Sequence, residues 1–447
     1  MSDVAKPKIA KSDELWARAT QIIPAGTQTF SKGPSQFVDG VAPKYLDRAE
    51  GCYVWDVDGN KYIDYAMACQ PIILGYRDPD VDKAIIDQLG KGITFSLMHP
   101  LEIEVTERLI EMIPCAEAVR FGKNGADATS IAIRISRSVT GREHLAYCGY
   151  HGWHDWYIAN TDRNEGIPAF NQTLSHSFTY NDLASLARVF ESHEGQIACA
   201  ILEPASALEP APGFLEGVKE ICHDNGALVV YDEIITGFRW AEGGAQERYG
   251  VLPDLACFAK GLSNGMPLSA IVGRKEYMKV LGENTFFSFT YGGECLSLAA
   301  ARATTDKIRR EKVIDRLWRI GAKLQDGFND LAAQHGLEDF VRCIGVPCRT
   351  ILAFDGQDRL DALEIKSLFI QEIVKRGVLC CGFHAICAAH GEPEVEMTLA
   401  AYDGAMRLFR SVLDKGQAIA GVLEGKPVEP VLRKIVDFQA QARLQRR

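Results

Sequence analysis

Residues 228–274 carry two short apolar runs, each followed by a residue that can do chemistry. The run Leu228–Tyr231 has the composition of a strand buried on both faces, and the acidic residue Asp232 follows it. The run Leu255–Phe258 has the same character, and Lys260 lies just beyond it. In open α/β sheets, ligands bind at the carboxyl ends of the strands. The pattern therefore predicts that a carboxylate and an amine face one crevice.

Neither residue indicates a function alone, because a lysine after a strand is usually a solvated loop charge and an aspartate there usually caps a helix. The neighbours of Lys260 favour a chemical role. Ala259 and Gly261 are small, and a Gly-rich turn with Asn264 and Gly265 follows. A desolvated amine has a lowered pKa and attacks carbonyl groups. Pyridoxal phosphate (PLP) chemistry needs such a lysine together with a carboxylate for the pyridinium nitrogen.

The motif at residues 232–239, DEIITGFR, is followed by Pro253-Asp254-Leu255 and by Ala259-Lys260-Gly261. Together these motifs resemble the signature of the class III aminotransferases of PLP fold type I. The chain is most similar to the branch that contains glutamate semialdehyde aminomutase, over about residues 24–410. The resemblance implies an α/β fold of type I. Its large domain has a mostly parallel sheet of the seven-stranded type, and its small α+β domain comes from both termini.

The chain is expected to divide into an N-terminal segment of the small domain (1–75), a large PLP-binding domain (76–330) and a C-terminal small domain (331–447). Asp58-Gly59 lies between two alternating runs and predicts a β-hairpin. Asp78-Pro79 is typical of a helix start. Further strands and helices alternate along the middle of the chain, which predicts a parallel sheet with helices on both faces.

Three further segments carry candidate cofactor contacts. The small-residue turn Asn124-Gly125-Ala126 precedes a helix, and the N–H groups at a helix start suit a phosphate. The buried runs His144–Cys148 and Ile197–Leu202 lead to Tyr150 and Glu203. An aromatic ring such as that of Tyr150 can hold another ring by its face.

The resemblance implies roles for these residues. Lys260 bonds covalently to the cofactor and moves a proton between it and the substrate carbon, while Asp232 keeps the pyridine nitrogen protonated. The other implied cofactor contacts are Tyr150 and Ile234 on the two ring faces, Glu203 near a ring substituent, Asn124, Gly125 and Ala126 at the phosphate, and Thr290 from the neighbouring subunit. A shared phosphate site implies a homodimer. The family has Ser-Gly-Thr where this chain has Asn124-Gly125-Ala126, so one hydroxyl donor is missing.

The substrate is expected to be a small amine or carbonyl compound. The aminomutase branch has Phe-Glu-Ala-Gly where this chain has Phe383-His384-Ala385-Ile386, which makes glutamate semialdehyde a poor candidate. Residues 150–156 and 289–294 resemble those of family members that act on sugars and aminoglycoside antibiotics. The sequence thus favours an aminotransferase for an amino sugar in secondary-metabolite or polysaccharide biosynthesis. Its candidate substrate contacts are Thr29, Cys69, Trp153 and His384.

Two other classes of function stay open. A PLP-dependent isomerase, either an amino-sugar epimerase or an aminomutase, needs a second acid or base opposite Lys260, and Cys52, Cys69 or His384 could serve. The third class is a cofactor-binding protein without catalysis, which the presence of both Lys260 and Asp232 disfavours.

The composition limits the kinds of molecule that the protein is expected to bind. Lys and Arg number 49 against 59 Asp and Glu, a net charge of −10, which argues against nucleic acid. The 13 cysteines lack regular spacing, which indicates reduced thiols and no zinc pattern, and no metal is expected. The first residues lack the apolar segment of a signal peptide, and no apolar run reaches the roughly 18–20 residues of a membrane span. These observations predict a cytoplasmic protein without membrane contact.

Overall fold

The computed structural model describes residues 4–357 and 360–429. Its helices are α1 Ala10–Ile22, α2 Pro79–Leu89, α3 Pro100–Met112, α4 Gly125–Thr140, α5 Asp155–Ile158, α6 Phe170–Thr173, α7 Leu183–Ser192, α8 Phe214–Asp224, α9 Ala245–Tyr249, α10 Lys275–Met278, α11 Cys295–Arg310, α12 Val313–Gln334, α13 Ala362–Lys375 and α14 Glu392–Asp414. Its strands are β1 Leu46–Glu50, β2 Tyr53–Asp56, β3 Lys61–Asp64, β4 Ala118–Gly122, β5 His144–Cys148, β6 Ser175–Ser177, β7 Ile197–Leu202, β8 Leu228–Asp232, β9 Leu255–Phe258, β10 Ser269–Gly273, β11 Val341–Val346, β12 Arg349–Phe354, β13 Val378–Leu379 and β14 Phe383–Ala385. Residues 79–314 form one compact unit, called the large unit, and the described residues before 79 and after 314 form a second, called the small unit.

A seven-stranded sheet with the order β4-β10-β9-β8-β7-β5-β6 forms the centre of the large unit. Strands β6, β5, β7, β8 and β9 are parallel to their neighbours in that order. Strand β10 runs antiparallel to both β9 and β4. The predicted large, mostly parallel sheet is therefore confirmed.

Burial of the central strands explains why the polar residues gather at one edge. Every residue of β7, β8, β9 and β10 is buried. On one face Ile131 and Ile135 of α4 belong to the same core cluster as Leu145, Ile201 and Val230 of the sheet. Each such aliphatic side chain contributes about 1.5–3 kcal/mol when it is fully buried. Strands covered on both faces offer only their ends to a ligand, so the carboxyl ends of β7, β8 and β9 form the accessible edge.

The small unit takes strands from both ends of the chain. Strands β1, β2 and β3 pair antiparallel, and β13 joins β3 in parallel with Val378 opposite Ile63. The hairpin predicted at Asp58-Gly59 is confirmed, since β2 and β3 flank it and Gly59 has a φ of 92°. Strands β11, β12 and β14 form a second antiparallel sheet. The predicted α+β domain built from both termini is confirmed.

Local sequence signals mark the starts of two helices, and the sequence predicts the first of them, at Asp78-Pro79. Helix α2 begins at Pro79, directly after Asp78. Helix α7 begins after Asp182, whose side chain accepts a hydrogen bond from the backbone N–H of Ser185 at 3.0 Å. Among the helices of the described residues, none combines the length and the apolar character that crossing a bilayer requires.

Candidate active site

Asp232 is the last residue of β8, and its surroundings fix its carboxylate. It pairs in register with Cys257 of β9, and only 4% of its surface is exposed. Oδ1 accepts a hydrogen bond from the backbone N–H of Ile234 at 3.1 Å. Oδ2 lies 2.8 Å from Nδ1 of His151. Both carboxylate oxygens are thus engaged, so the charge is held at one point on the sheet edge.

His151 connects Asp232 to the end of β5 through its two ring nitrogens. Nδ1 faces the Asp232 carboxylate, and Nε2 faces the carbonyl oxygen of Cys148 at 3.2 Å. These two contacts fix the orientation of the ring beside Asp232. The position of His151 directly after Tyr150 was the signal in the sequence for a structural hydrogen-bonding role.

Lys260 lies two residues beyond β9 and opens the short 3-10 turn Lys260–Ser263. Its φ is 44°, in the left-handed region that residues with a Cβ rarely adopt. Its neighbours Ala259 and Gly261 are buried, and Lys260 itself is half-buried. Cys257 of β9 pairs with Asp232, and Lys260 follows Cys257 by three residues along the chain. Backbone strain of this kind is typical of functional sites.

Glu203 follows β7 and connects it to the loop after β5. Its Oε2 accepts a hydrogen bond from the backbone N–H of Tyr150 at 3.1 Å, and 8% of its surface is exposed. Gly149 makes this contact possible. Its φ is 110°, and a Cβ at this position would lie 2.6 Å from Oε2 of Glu203. A residue with a side chain therefore cannot occupy position 149 unless Glu203 moves.

We expect Gly149→Ala to displace Glu203 and to lower the free energy of unfolding by about 1–3 kcal/mol, because the left-handed backbone and the contact with Oε2 both oppose a Cβ. Denaturant titration measures the change through its midpoint. Gly166→Ala is the matched control, since Gly166 also has a positive φ of 86° but nothing lies within 4 Å of its Cβ position. Equal destabilisation by the two substitutions would contradict the role given to the Glu203 contact.

The N-terminus of α4 has the features of an anion site. Asn124 is its N-cap, and the carboxylate of Asp127 accepts hydrogen bonds from the backbone N–H groups of Lys123 at 3.0 Å and Asn124 at 2.7 Å. The next N–H groups, those of Gly125 and Ala126, belong to the first turn and have no carbonyl partner within the helix. The positive end of the dipole of this 16-residue helix lies at the same place.

Close packing joins this helix start to the strand ends. A Cβ on Gly125 would lie 2.6 Å from Cδ1 of Ile234, which is two residues beyond Asp232. A Cβ on Gly152 would lie 2.7 Å from Cβ of Ala126. The residues predicted at the phosphate, at one ring face and at the ring nitrogen are therefore brought together within the large unit.

Tyr150 presents an aromatic surface beside the two acids. Its ring meets that of Tyr157 edge-on with centroids 5.6 Å apart, and 45% of the residue is exposed. Burial, and then the charges of Asp232 and Glu203, raise the pKa of the Tyr150 hydroxyl. The phenol is thus neutral at neutral pH, and the ring can stack against a planar ligand.

The other predicted contacts have varied surroundings. In the large unit, Trp153 is 68% exposed with its ring edge-on to that of His154, and Thr290 is exposed in the segment before α11. In the small unit, Thr29 is exposed and its backbone N–H bonds Oγ1 of Thr27 at 3.2 Å. The roles given to these residues stay predictions.

Cys69 and His384, also in the small unit, differ in accessibility. Cys69 is half-buried within residues 67–70, which all have φ values between 44° and 81°. Left-handed backbone costs roughly 1–2 kcal/mol per residue, so this run favours a functional role for Cys69. His384 is fully buried, with Nδ1 2.7 Å from Oγ1 of Thr350 and Nε2 2.6 Å from the hydroxyl of Tyr402. Both of its nitrogens are engaged inside the small unit, which gives its predicted substrate contact no support.

The residues of the large unit fit pyridoxal phosphate. The first turn of α4 offers amides and a dipole to a phosphate, and the closeness of Gly125 to Ile234 leaves no room for a larger residue there. Asp232 offers a buried charge to a ring nitrogen, Tyr150 a stacking surface, and Lys260 an amine to an aldehyde.

Comparison with known proteins decides the family. The profile of the family described as Aminotransferase class-III matches residues 38–391. This chain belongs to the class III aminotransferases. The resemblance, the type I fold, the enzyme class and the cofactor that the motifs predict are therefore confirmed, and the chain is a PLP-dependent aminotransferase.

Named relatives of this class III aminotransferase include a 3-aminobutyryl-CoA aminotransferase of Cloacimonas acidaminovorans (strain Evry). The two are 35% identical over 405 residues, which is 89% of this chain and 96% of the relative. The solved structure of the Sphingopyxis sp. MTA144 FumI protein, in its PLP internal aldimine form, is similar with a TM-score of 0.85. It is 28% identical and covers 93% of this chain and 100% of its own. A glutamate-1-semialdehyde aminomutase from Pseudomonas aeruginosa PAO1 shares the fold, with a TM-score of 0.79, 21% identity, and 89% and 94% coverage.

Proposed function

We propose that this class III aminotransferase transfers the amino group of a 3-aminoacyl thioester to a 2-oxo acid. The observation that supports this class of substrate is the 35% identity, over 89% of the chain, to an enzyme named for 3-aminobutyryl-CoA. The absence of an acidic residue at positions 383–386 agrees with a substrate other than glutamate semialdehyde.

In this proposal the residues at the strand ends have separate tasks. Bound pyridoxal phosphate supplies an electron sink for the pair left when the substrate carbon loses its proton. With the cofactor bound, Nζ of Lys260 would take the proton from the substrate carbon and pass it to the cofactor. Asp232, held by His151 at 2.8 Å, keeps a proton on the ring nitrogen.

The remaining large-unit residues orient the ring. Tyr150 and Ile234 hold its two faces, Glu203 lies near a ring substituent, and the first turn of α4, with Asn124 as its cap, binds the phosphate. Trp153, Thr29, Cys69 and His384 stay the candidate substrate contacts, with His384 the weakest because of its burial.

We also propose a homodimer in which Thr290 reaches the partner's phosphate. Large apolar side chains of the large unit support it, because they are exposed in two segments: Ile93, Phe95, Leu97 and Met98 in one, Phe286 and Tyr291 in the other. The backbone N–H of Cys295 donates to the carbonyl of Ile93 at 2.8 Å, so the two segments adjoin. Exposed apolar surface of this extent is typical of an interface, and Thr290 lies within it.

An amino sugar is the second candidate substrate. The similarity of residues 150–156 and 289–294 to sugar and aminoglycoside aminotransferases favours it, and a net charge of −10 suits a cationic substrate better than a polyanionic thioester of coenzyme A. The named relatives give it no support.

Rates with matched amine donors test the choice. We expect kcat/KM for 3-aminobutyryl-CoA to exceed that for free 3-aminobutyrate and for glucosamine at least about tenfold, a difference of about 1.4 kcal/mol in transition-state binding. Alanine formed from pyruvate, or glutamate formed from 2-oxoglutarate, measures the transfer. Faster reaction of the amino sugar would overturn the thioester proposal. Solvent deuterium that enters the amine substrate without consumption of a 2-oxo acid would instead indicate the isomerase.

A further inference from the structure

Three histidines that are distant in the sequence meet at the edge of the large-unit sheet. His144 opens β5, His176 is the middle residue of β6, and His193 directly follows α7. Strands β5 and β6 pair in parallel with Ala146 opposite His176. The backbone N–H of His144 donates a hydrogen bond to the backbone carbonyl oxygen of Gln196 at 3.2 Å. One ring nitrogen from each histidine lies within 4.8 Å of the other two.

The rings of the three histidines lie against one another, with the centroids of His176 and His193 3.8 Å apart. Nδ1 of His144 and Nε2 of His176 lie 2.9 Å apart, so a single hydrogen lies between them. Nδ1 of His193 donates to the carbonyl oxygen of Val189 at 3.0 Å, which leaves the lone pair on Nε2. A ring held by its outer N–H on a backbone carbonyl is the usual arrangement of a metal-binding histidine.

All three residues are half-buried. Neutral imidazole is the form that binds metal ions, and it is a common zinc ligand.

We propose that His144, His176 and His193 bind a zinc ion, with water as the fourth ligand, and that the ion fastens the short edge strand β6 to β5 and to the turn after α7. Imidazole ligands suit zinc, and three protein ligands with an open position are a common zinc geometry. Zinc–nitrogen distances of about 2.0–2.1 Å place tetrahedral ligand atoms about 3.4 Å apart. In this proposal the rings rotate about χ2, a broad torsion, to bring their nitrogens to this spacing.

The proposed zinc site is separate from the cofactor site. His144 and Cys148 lie at opposite ends of β5, and Cys148 is the residue whose carbonyl faces His151. At about 3.3 Å per residue, the two ends are about 13 Å apart. Loss of zinc is therefore expected to lower the unfolding temperature and to leave the rate of amino transfer unaltered. The cysteine spacing gave no indication of this site, because no cysteine takes part.

Metal content of the tag-free holoenzyme tests the proposal. The protein is stripped with a chelator, dialysed against micromolar ZnCl2 and measured by atomic emission. We expect one zinc per chain in the wild type and at least about tenfold weaker binding in each of His144→Ala, His176→Ala and His193→Ala. His223→Ala is the matched control, because His223 is in the same unit but bonds Asp254 at 3.0 Å instead. The d–d bands of bound Co²⁺ report whether the ion is four-coordinate.

Two further readouts separate binding from misfolding. Zinc should raise the unfolding temperature of the wild type and of His223→Ala, but not that of the three cluster variants. The variants should keep wild-type kcat, and where an alanine variant does not fold, glutamine at the same position replaces it. Absence of stoichiometric zinc in the wild type, or equal zinc retention in all three variants, would overturn the proposal.

Discussion

Lys260→Ala is expected to lower kcat by at least about 10³-fold, because it removes both the covalent attachment of the cofactor and the base that moves the substrate proton. A positioned acid or base alone contributes roughly 10²–10⁴-fold. Initial rates of alanine formation measure the loss. Borohydride reduction followed by peptide mapping measures the attachment, and we expect it to mark Lys260 in the wild type and no lysine in the variant.

Two further substitutions sharpen this test. Lys260→Arg keeps a positive charge, but a guanidinium does not lose its proton, so it should be as inactive as the alanine variant. Lys275→Ala changes an exposed lysine at the start of α10 in the same unit and should leave the rate unaltered. Wild-type turnover in Lys260→Ala, or a borohydride label on another lysine, would refute the proposed role.

Asp232→Asn should lower kcat by about 10²–10³-fold, which is typical when one preorganised electrostatic contact to the reacting group is removed. The amide has the size of the carboxylate but not its charge, so it cannot hold a proton on the ring nitrogen. His151 would also lose its anionic partner at 2.8 Å. The rate, together with the absorbance of the bound cofactor as a function of pH, measures the effect, and the ring-nitrogen proton should leave at lower pH in the variant.

The large unit supplies a matched control for this substitution. Asp254 is also buried and also bonds a histidine, with Oδ2 3.0 Å from Nε2 of His223, but it precedes β9, whereas Asp232 is the last residue of β8. Asp254→Asn should therefore lower stability and leave kcat close to that of the wild type. If the two substitutions lower kcat equally, the loss reflects general damage to the sheet and the role of Asp232 fails.

The sequence predicted the parts of the site that follow from strand burial. Continuous apolar runs identify β8 and β9, and in a parallel sheet the residues after such strands share one edge, so Asp232 and Lys260 could be found without coordinates. The helix start at Asn124 followed from its small residues. The left-handed φ of Lys260 could not be predicted, because only the surrounding fold makes a lysine adopt it.

Contacts between distant segments account for what the sequence did not reveal. The bond of His151 to Asp232 and the meeting of His144 with His176 and His193 depend on strand order, which no local pattern encodes. The prediction for His384 came from its place in the chain, but histidines occur both inside and at the surface of proteins, so the sequence carried no signal of its burial.

The pairing of β3 with β13 has a consequence for biosynthesis. In the sequence, β3 precedes the large unit and β13 follows it. On the ribosome, β3 therefore emerges well before its partner strand exists. At about 5–20 residues per second, roughly 15–60 s of translation separate them. Throughout that interval the N-terminal hairpin has an unpaired edge, while the contiguous large unit can already begin to fold. Nascent chains of this enzyme should therefore depend on chaperones that shield the first 78 residues until synthesis is nearly complete.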